Sequence, residues 1–191
     1  MITYTDTELL DRAIVFAVNA HKGVERRGKG FPYVVHPLEA LAIVATLTND
    51  QELLAAAVLH DVVEDTDYTA ADIEKEFGAR VAKLVVAESD EEITGCTPEE
   101  AWRRRKEIAL ERLKKADRDT KIVAMGDKLS NMRAMALDYE TMGDKLWEKF
   151  RIKDPKAHSA RYHALCDAFS DLKDTVAYRE FVFLVNRVFP L

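Results

Sequence analysis

Side chains able to do chemistry are most concentrated between residues 60 and 65, where the sequence reads His60-Asp61-Val62-Val63-Glu64-Asp65. On a helix, residues four apart share a face, which would place His60 beside Glu64 and Asp61 beside Asp65. Three carboxylates this close would repel one another in a dry site, and a bound divalent cation removes that repulsion. The segment therefore predicts a metal centre with acid–base groups next to it.

The surroundings of the His60-Asp61 pair favour metal binding over a structural role. Residues 53–59, directly before the pair, are all apolar, which predicts a buried helix. An uncompensated charge at the end of such a helix is strongly unfavourable, so a buried acid needs a partner. A metal ion would provide that partner.

Two further side chains are candidate ligands: His36, which precedes Pro37, and Asp127, which follows an apolar stretch at 122–125. Each has an ordinary alternative, since His36 could be a buried histidine with a protein partner and Asp127 a helix cap or surface acid. Two imidazoles and two carboxylates suit a borderline or hard cation, with one Mn²⁺ ion preferred and iron or zinc less favoured. Such a cation acidifies a bound water and polarises a phosphoryl oxygen.

The elements that must position these side chains are predicted to be helices. The chain has 7 Gly and 5 Pro and no clear alternation of apolar and polar residues, so we expect an all-α fold. The predicted helices are 7–20, capped by Thr5 or Asp6; 37–44; 50–60; 70–77, capped by Thr69; 80–87; a long helix from Pro98, capped by Thr97; a helix through 122–135, capped by Asp119 or Asp117; and two or three more after residue 141. Residues 88–98 are predicted to form a loop, and one domain over residues 1–191 is the simplest arrangement.

Composition narrows the class of protein. Apolar residues make up 48% of the 191 residues, yet no apolar run approaches the roughly 20 residues of a membrane span, and the first residues do not resemble a signal peptide. Cys96 and Cys166 form no CxxC pair, so we expect a reducing, cytoplasmic location. A net charge of −6 argues against nucleic acid as a partner but allows a small anionic substrate. The oligomeric state stays open.

The order of the four candidate ligands resembles the H…HD…D pattern of the HD superfamily of metal-dependent phosphohydrolases. More narrowly, the chain resembles the hydrolase domain of RelA/SpoT enzymes and the stand-alone small alarmone hydrolases over residues 8–165. The segments that carry this resemblance are Arg26-Arg27, Pro32-Tyr33-Val34-Val35-His36-Pro37, His60-Asp61-Val62-Val63-Glu64-Asp65-Thr66, Phe77-Gly78-Ala79-Arg80-Val81 and Asp127-Lys128-Leu129-Ser130-Asn131-Met132-Arg133. The resemblance implies a single compact HD-domain helical bundle of about eight to ten helices.

The resemblance also implies a reaction and a set of roles. The family hydrolyses the 3′-pyrophosphate of ppGpp and pppGpp, the alarmones of the stringent response, to give pyrophosphate and GDP or GTP. The implied ligands of one Mn²⁺ are His36, His60, Asp61 and Asp127. The implied catalytic pair is Glu64 and Asp65, and which of them is acid or base stays open.

Substrate contacts implied by the resemblance lie in three places. The basic pair that holds the nucleotide in the family falls on Arg26 and Arg27, although Lys29 could take the second position. The ordinary alternative is an exposed basic loop without a substrate role. Asn131 matches a nucleotide-contacting asparagine. Tyr162 is the candidate for an aromatic side chain near the nucleoside, with a core or surface tyrosine as the alternative.

Three functional hypotheses follow from the sequence. The first is a ppGpp/pppGpp 3′-pyrophosphohydrolase. The second is an HD phosphohydrolase of a related nucleotide, such as NADPH or a phosphorylated adenine nucleotide. The segment at 88–92 is acidic, whereas bifunctional enzymes have a Val-Thr-Lys type segment there. An acidic surface is unfavourable for a highly anionic nucleotide, so this difference leaves the identity of the substrate open. The third is a non-enzymatic protein that keeps the fold and serves in nucleotide sensing or interaction, against which the complete ligand set and the Glu64-Asp65 pair argue.

Overall fold

A computed structural model gives the fold for residues 6–90 and 93–190. The predicted cap at Thr5 and the acidic residues Glu91 and Glu92 lie outside these described residues. Within them, the structure has ten α-helices and two 3₁₀ segments. The helices are α1 (Glu8–Ala20), α2 (Val35–Val44), α3 (Gln51–Leu59), α4 (Val62–Asp65), α5 (Ala70–Phe77), α6 (Ala79–Glu88), α7 (Pro98–Lys115), α8 (Arg118–Met142), α9 (Pro155–Ala168) and α10 (Val176–Val188), with 3₁₀ segments at Gly143–Lys149 and Ser170–Leu172.

The all-α prediction is confirmed, because the only β-type pairing among the described residues is an isolated bridge between Glu25 and Pro32. In the same residues, none of the helices combines the length and the apolar character that crossing a membrane would require.

The chain divides into two compact units. Unit 1 comprises the described residues up to Ser89 together with Ile122–Asp127, and unit 2 comprises the described residues of Asp90–Lys121 and Lys128–Leu191. All four candidate metal ligands belong to unit 1. A single domain over residues 1–191 stays a prediction.

Helix α3 is the centre of unit 1. All residues from Leu53 to Leu59 are buried, and the helix packs against α1, α2 and α6. A helix that is apolar on every side is stable only inside a core, where burial of a large aliphatic side chain contributes about 1.5–3 kcal/mol. His60 follows directly at its C-terminal end and is itself 2% exposed.

The helix that precedes the HD pair ends close to the end predicted at residue 60, and a short second helix that was not predicted follows it. Helix α3 ends at Leu59, and α4 begins at Val62. The amide of Asp65 still donates to the carbonyl of Asp61 at 2.9 Å. His60 and Asp61 thus lie at a junction between two helices.

The starts of α3, α5, α7 and α8 agree with the predicted caps, and the start of α1 does not. Asp50 accepts a hydrogen bond from the amide of Glu52. Thr69 and Thr97 each form a capping box, with Asp72 and Glu100 respectively. Of the two alternatives for α8, Asp117 is the cap, accepting from the amide of Thr120. For α1 the predicted cap Asp6 is wrong: Thr7 occupies the cap position and makes no side-chain cap hydrogen bond, although Asp6 accepts from the amide of Glu8 at 3.1 Å.

Unit 2 is built around α7, α9 and α10. Helix α9 packs against both α7 and α10. Aromatic rings pack in the core of unit 2, where Trp147 stacks on His158 and on Phe189. His158 is buried, and its Nε2 lies 2.7 Å from the carbonyl oxygen of Ile152.

Candidate metal centre

The four predicted ligands converge inside unit 1. His36 comes from the first turn of α2, His60 and Asp61 from the α3–α4 junction, and Asp127 from α8. Nε2 of His36 lies 3.2 Å from Nε2 of His60, 3.4 Å from Oδ2 of Asp61 and 3.2 Å from Oδ1 of Asp127. Nε2 of His60 lies 3.1 Å from Oδ2 of Asp61 and 3.7 Å from Oδ1 of Asp127. The structure therefore brings these residues together as expected.

The tautomer of His60 is fixed by its backbone contact. Nδ1 of His60 lies 2.8 Å from the carbonyl oxygen of Ala57. A carbonyl only accepts, so Nδ1 carries the proton and donates it to Ala57. In the neutral imidazole, Nε2 then presents its lone pair to the cluster, as a metal ligand must.

The donor set fits a divalent cation. Ligand atoms of His36, His60 and Asp127 all lie within 4.8 Å of one another. Donors that share a cation at ligand distances of about 2–2.6 Å are separated by less than about twice that distance. All three side chains are buried, with exposed fractions of 4%, 2% and 8%. Two imidazoles with carboxylates in a dry setting are a donor set for a divalent metal.

The electrostatics of the metal-free cluster indicate where positive charge is favoured. Burial lowers the pKa of His60, but the charges and hydrogen bonds of Asp61 and Asp127 outweigh burial and raise it well above its ordinary value. Burial raises the pKa of Asp61, but His60 and His36 together hold it well below its usual range. The two carboxylates therefore favour positive charge beside them, the same preference that would favour a bound cation.

Tyr33 supports the cluster from outside, a contact that sequence reasoning did not assign. Its hydroxyl donates to Oδ2 of Asp61 at 2.6 Å. Burial, followed by the charge of Asp61, raises the pKa of Tyr33, so the phenol remains a donor. The guanidinium of Arg26 lies 5.2 Å from the centre of the Tyr33 ring. The signal in the sequence was the position of Tyr33 just before His36.

A second side chain that sequence reasoning missed is His21. It follows α1, is 2% exposed, and its ring centre lies 5.0 Å from that of Tyr33. Its position before a polar loop gave no sign of burial in the sequence.

The predicted catalytic pair lies in α4, one turn beyond the ligands. Glu64 and Asp65 are both exposed, so solvent and substrate can reach them. Asp65 also interacts with Tyr33, because its side chain contributes to the raised pKa of that phenol. Their catalytic role stays a prediction.

The predicted basic substrate contacts lie in the loop between α1 and α2, also in unit 1. Arg27 is exposed, whereas Arg26 and Lys29 are partly buried. The amide of Lys29 donates to the carbonyl of Arg26 at 2.9 Å, which closes a turn. Gly28 has φ +70°, a conformation that an L side chain rarely adopts. Arg27 and Lys29 remain alternatives for the second basic position.

The other two predicted substrate contacts, Asn131 and Tyr162, belong to unit 2. Asn131 is partly buried in α8. Tyr162 in α9 is 5% exposed, and its ring stacks on Phe189 with centres 5.6 Å apart. This is the environment of a core tyrosine, the alternative that the sequence left open. Both substrate roles stay predictions.

The sequence matches the HD domain family over residues 13–152. A Vibrio cholerae protein named guanosine-3′,5′-bis(diphosphate) 3′-pyrophosphohydrolase is 32% identical over 178 residues, covering 90% of this chain and 24% of the relative. A Streptomyces coelicolor protein named GTP pyrophosphokinase is 32% identical over 172 residues, covering 88% of this chain and 20% of the relative. The chain thus spans about a quarter or less of the length of these relatives.

Among solved structures, one described as a metazoan ortholog of SpoT that hydrolyzes ppGpp and plays a role in starvation responses superposes with a TM-score of 0.75. It is 23% identical, and the match covers 97% of each chain. At that identity the likeness shows the fold. The resemblance inferred from the sequence motifs is confirmed. Because the family match extends over residues 13–152 and includes every candidate ligand, this chain belongs to the HD domain family.

Proposed function

We propose that this chain is a metal-dependent phosphohydrolase that removes the 3′-pyrophosphate of ppGpp and pppGpp, releasing pyrophosphate and GDP or GTP. The observation that carries the proposal is the convergence of His36, His60, Asp61 and Asp127, with Nε2 of His60 facing the other donors. The names of the relatives support the choice of nucleotide. A cytoplasmic location fits Cys96 and Cys166, which form no disulfide.

The proposed cofactor is one Mn²⁺ held by His36, His60, Asp61 and Asp127, with iron or zinc less favoured. A mixed set of imidazoles and carboxylates supports this order of preference. When bound, such an ion lowers the pKa of a coordinated water and polarises a phosphoryl oxygen.

Glu64 and Asp65 supply the proton transfers in this proposal. Attack of water on the phosphorus next to the 3′-oxygen breaks that P–O bond. The water must lose a proton, and the departing 3′-oxygen must gain one. Two neighbouring carboxylates, both exposed and one turn from the proposed ligands, can divide these tasks, one accepting the proton of the water and the other serving the departing oxygen. Most of the remaining catalysis of phosphoryl transfer is positioning and charge neutralisation.

The phosphates are proposed to pair with the basic loop of unit 1, at Arg26 and either Arg27 or Lys29. Arginine donates to phosphate through a planar fork, and lysine acts as a point charge. Asn131 and Tyr162 are proposed nucleoside contacts, on the strength of the family resemblance.

The test is a panel of nucleotides assayed with purified protein and Mn²⁺: ppGpp, pppGpp, NADPH and a 3′-phosphorylated adenine nucleotide. We expect pyrophosphate and GDP or GTP from the first two, with activity lost in EDTA and restored by Mn²⁺. Release of inorganic phosphate from NADPH or from the adenine nucleotide, with no pyrophosphate from ppGpp, would show that the substrate is another nucleotide. Full activity after exhaustive chelation would refute the metal-dependent mechanism itself.

A further inference from the structure

His21 is a buried histidine to which the proposed mechanism assigns no role. Both its ring nitrogens, Nδ1 and Nε2, are shielded from solvent and have no hydrogen-bond partner in the described protein. A neutral imidazole has one donor and one acceptor, and buried polar atoms in native proteins are nearly always hydrogen-bonded. Such a group points to a partner that is not among the described residues.

A second buried histidine shows the usual arrangement. His158 in unit 2 is 3% exposed, and its Nε2 meets the carbonyl oxygen of Ile152 at 2.7 Å. The comparison makes His21 unusual among the buried histidines. A phenylalanine at position 21 would fill the same space without an unsatisfied polar atom, so packing alone does not explain a histidine there.

The neighbours of His21 connect it to the metal cluster. Its ring lies against Tyr33, whose hydroxyl donates to Asp61 at 2.6 Å. Burial lowers the pKa of His21, and of the groups that oppose burial Asp61 acts most strongly, followed by Asp65. Both carboxylates therefore lie within electrostatic reach of the imidazole.

We propose that His21 is a positioning residue that holds an internal water molecule against the carboxylates of Asp61 and Asp65. A buried water makes two to four hydrogen bonds, and a ring nitrogen with two carboxylates supplies that number. The water orients a metal ligand and a catalytic acid together. This inference rests on the proposed function only through the metal site and does not depend on which nucleotide is hydrolysed.

The test compares two apolar variants, His21→Phe and His21→Leu, with two polar ones. Asn places an amide near the position of Nδ1, and Gln places one near Nε2. Mn²⁺ affinity is measured by calorimetry, the melting temperature is measured in EDTA, and kcat and KM are measured on the best nucleotide of the panel. We expect the apolar variants to melt at the wild-type temperature or above and to bind Mn²⁺ about 10- to 100-fold more weakly, as for other groups that orient ligands. We expect kcat to fall more than KM rises.

One of the polar variants should restore most of the Mn²⁺ affinity, which would identify the nitrogen that holds the water. His158→Phe is the matched control: it should lower the melting temperature, because a satisfied hydrogen bond is lost, and leave Mn²⁺ affinity unchanged. Wild-type affinity and kcat in the apolar variants would overturn the proposal, as would loss of affinity that neither Asn nor Gln restores. If the Phe variant fails to fold, the Leu variant decides in the same way.

A wild-type protein that hydrolyses no nucleotide in the panel would refute the proposed function. The comparison of Mn²⁺ affinities would still test His21, so the two failures are distinguishable.

Discussion

The hydroxyl of Tyr33 donates to the same Asp61 oxygen, Oδ2, that lies 3.1 Å from Nε2 of His60. One carboxylate oxygen is thereby oriented by a phenol on one side and faces the cluster on the other. The phenol stays protonated because burial and the charge of Asp61 raise its pKa. Groups that hold a metal ligand in place in this way affect affinity without touching the metal.

Tyr33→Phe should therefore weaken Mn²⁺ binding by about 10-fold or more while leaving the ring in place. Loss of one hydrogen bond should also lower the free energy of unfolding by about 1 kcal/mol. Tyr178→Phe is the matched control, since its hydroxyl donates to the carbonyl of Cys166 at 3.2 Å in unit 2. We expect a similar loss of stability there with no change in Mn²⁺ affinity, measured by calorimetry and urea unfolding. Equal Mn²⁺ affinities in both variants would contradict a supporting role for Tyr33.

Gly126 sets how closely the Asp127 segment approaches α2. A Cβ atom at Gly126 would lie 2.7 Å from Cγ2 of Val44 and 2.8 Å from the carbonyl oxygen of Ala40, both in α2. Asp127 is the next residue, and its Oδ1 lies 3.2 Å from His36 of the same helix. The absence of a side chain at Gly126 thus permits the approach that joins two of the proposed ligands.

Gly126→Ala should destabilise the protein by about 1–3 kcal/mol through overpacking, although the same change at an open helical position stabilises by roughly 0.5–1 kcal/mol. Mn²⁺ affinity should fall as well, because Asp127 is displaced from His36. Adding Val44→Ala should recover only part of the stability, since the carbonyl of Ala40 remains in the way. Urea unfolding and Mn²⁺ calorimetry measure both effects. A more stable Gly126→Ala protein would show that the helices can separate without strain.

Local signals in the sequence were sufficient for much of the fold. Thr97 followed by Pro98 marks the start of α7. The hydroxyl of Thr97 accepts a hydrogen bond from an amide of the first turn, and Pro98 lacks an N–H at a position where the N–H would have no partner within the helix. The seven apolar residues of α3 predicted its burial. The end of α3 near His60 was predicted, whereas the short helix α4 that follows was not, because both His60 and Asp61 keep helical dihedral angles and only the hydrogen-bond pattern changes.

The candidate ligands were predictable from residue type, whereas their supporting contacts were not. Histidines and aspartates that converge in one site follow a recognisable order along the chain. The contact of Tyr33 with Asp61 joins residues 28 positions apart. The burial of His21 depends on how α1 packs, and nothing in its neighbours Ala20 and Lys22 indicates it. Such contacts become visible only when the packing is known.

Glu64 and Asp65 should be required for turnover and dispensable for metal binding. Replacing either by its amide, Glu64→Gln or Asp65→Asn, removes a proton acceptor at nearly constant volume, so kcat should fall by about 10²- to 10⁴-fold. Asp67→Asn is the control, because Asp67 is exposed in the same segment and has no proposed role. Steady-state kinetics and Mn²⁺ calorimetry separate the two properties. Wild-type kcat in both amide variants would remove the pair from the mechanism.

The protonation of His60 should make stability and metal affinity respond to pH in opposite directions. In the metal-free protein, Asp61 and Asp127 outweigh burial and raise the pKa of His60. The resulting stabilisation is complete below the unfolded-state pKa of about 6.5 and is lost as pH rises through the raised folded-state value. The lowered pKa of Asp61 has the reverse effect: its contribution is present above about pH 3.9 and is lost on further acidification.

Melting in EDTA should therefore occur at the highest temperature between about pH 4 and 6.5 and at lower temperatures toward pH 9. Mn²⁺ binding should strengthen over that same rise in pH, because the ion must displace the proton from Nε2 of His60, and each binding event should release protons. Calorimetry in buffers of different ionisation enthalpy counts the released protons. His60→Gln should remove most of both pH dependences. An Mn²⁺ affinity that is independent of pH from 6 to 9 would show that His60 does not exchange a proton for the metal.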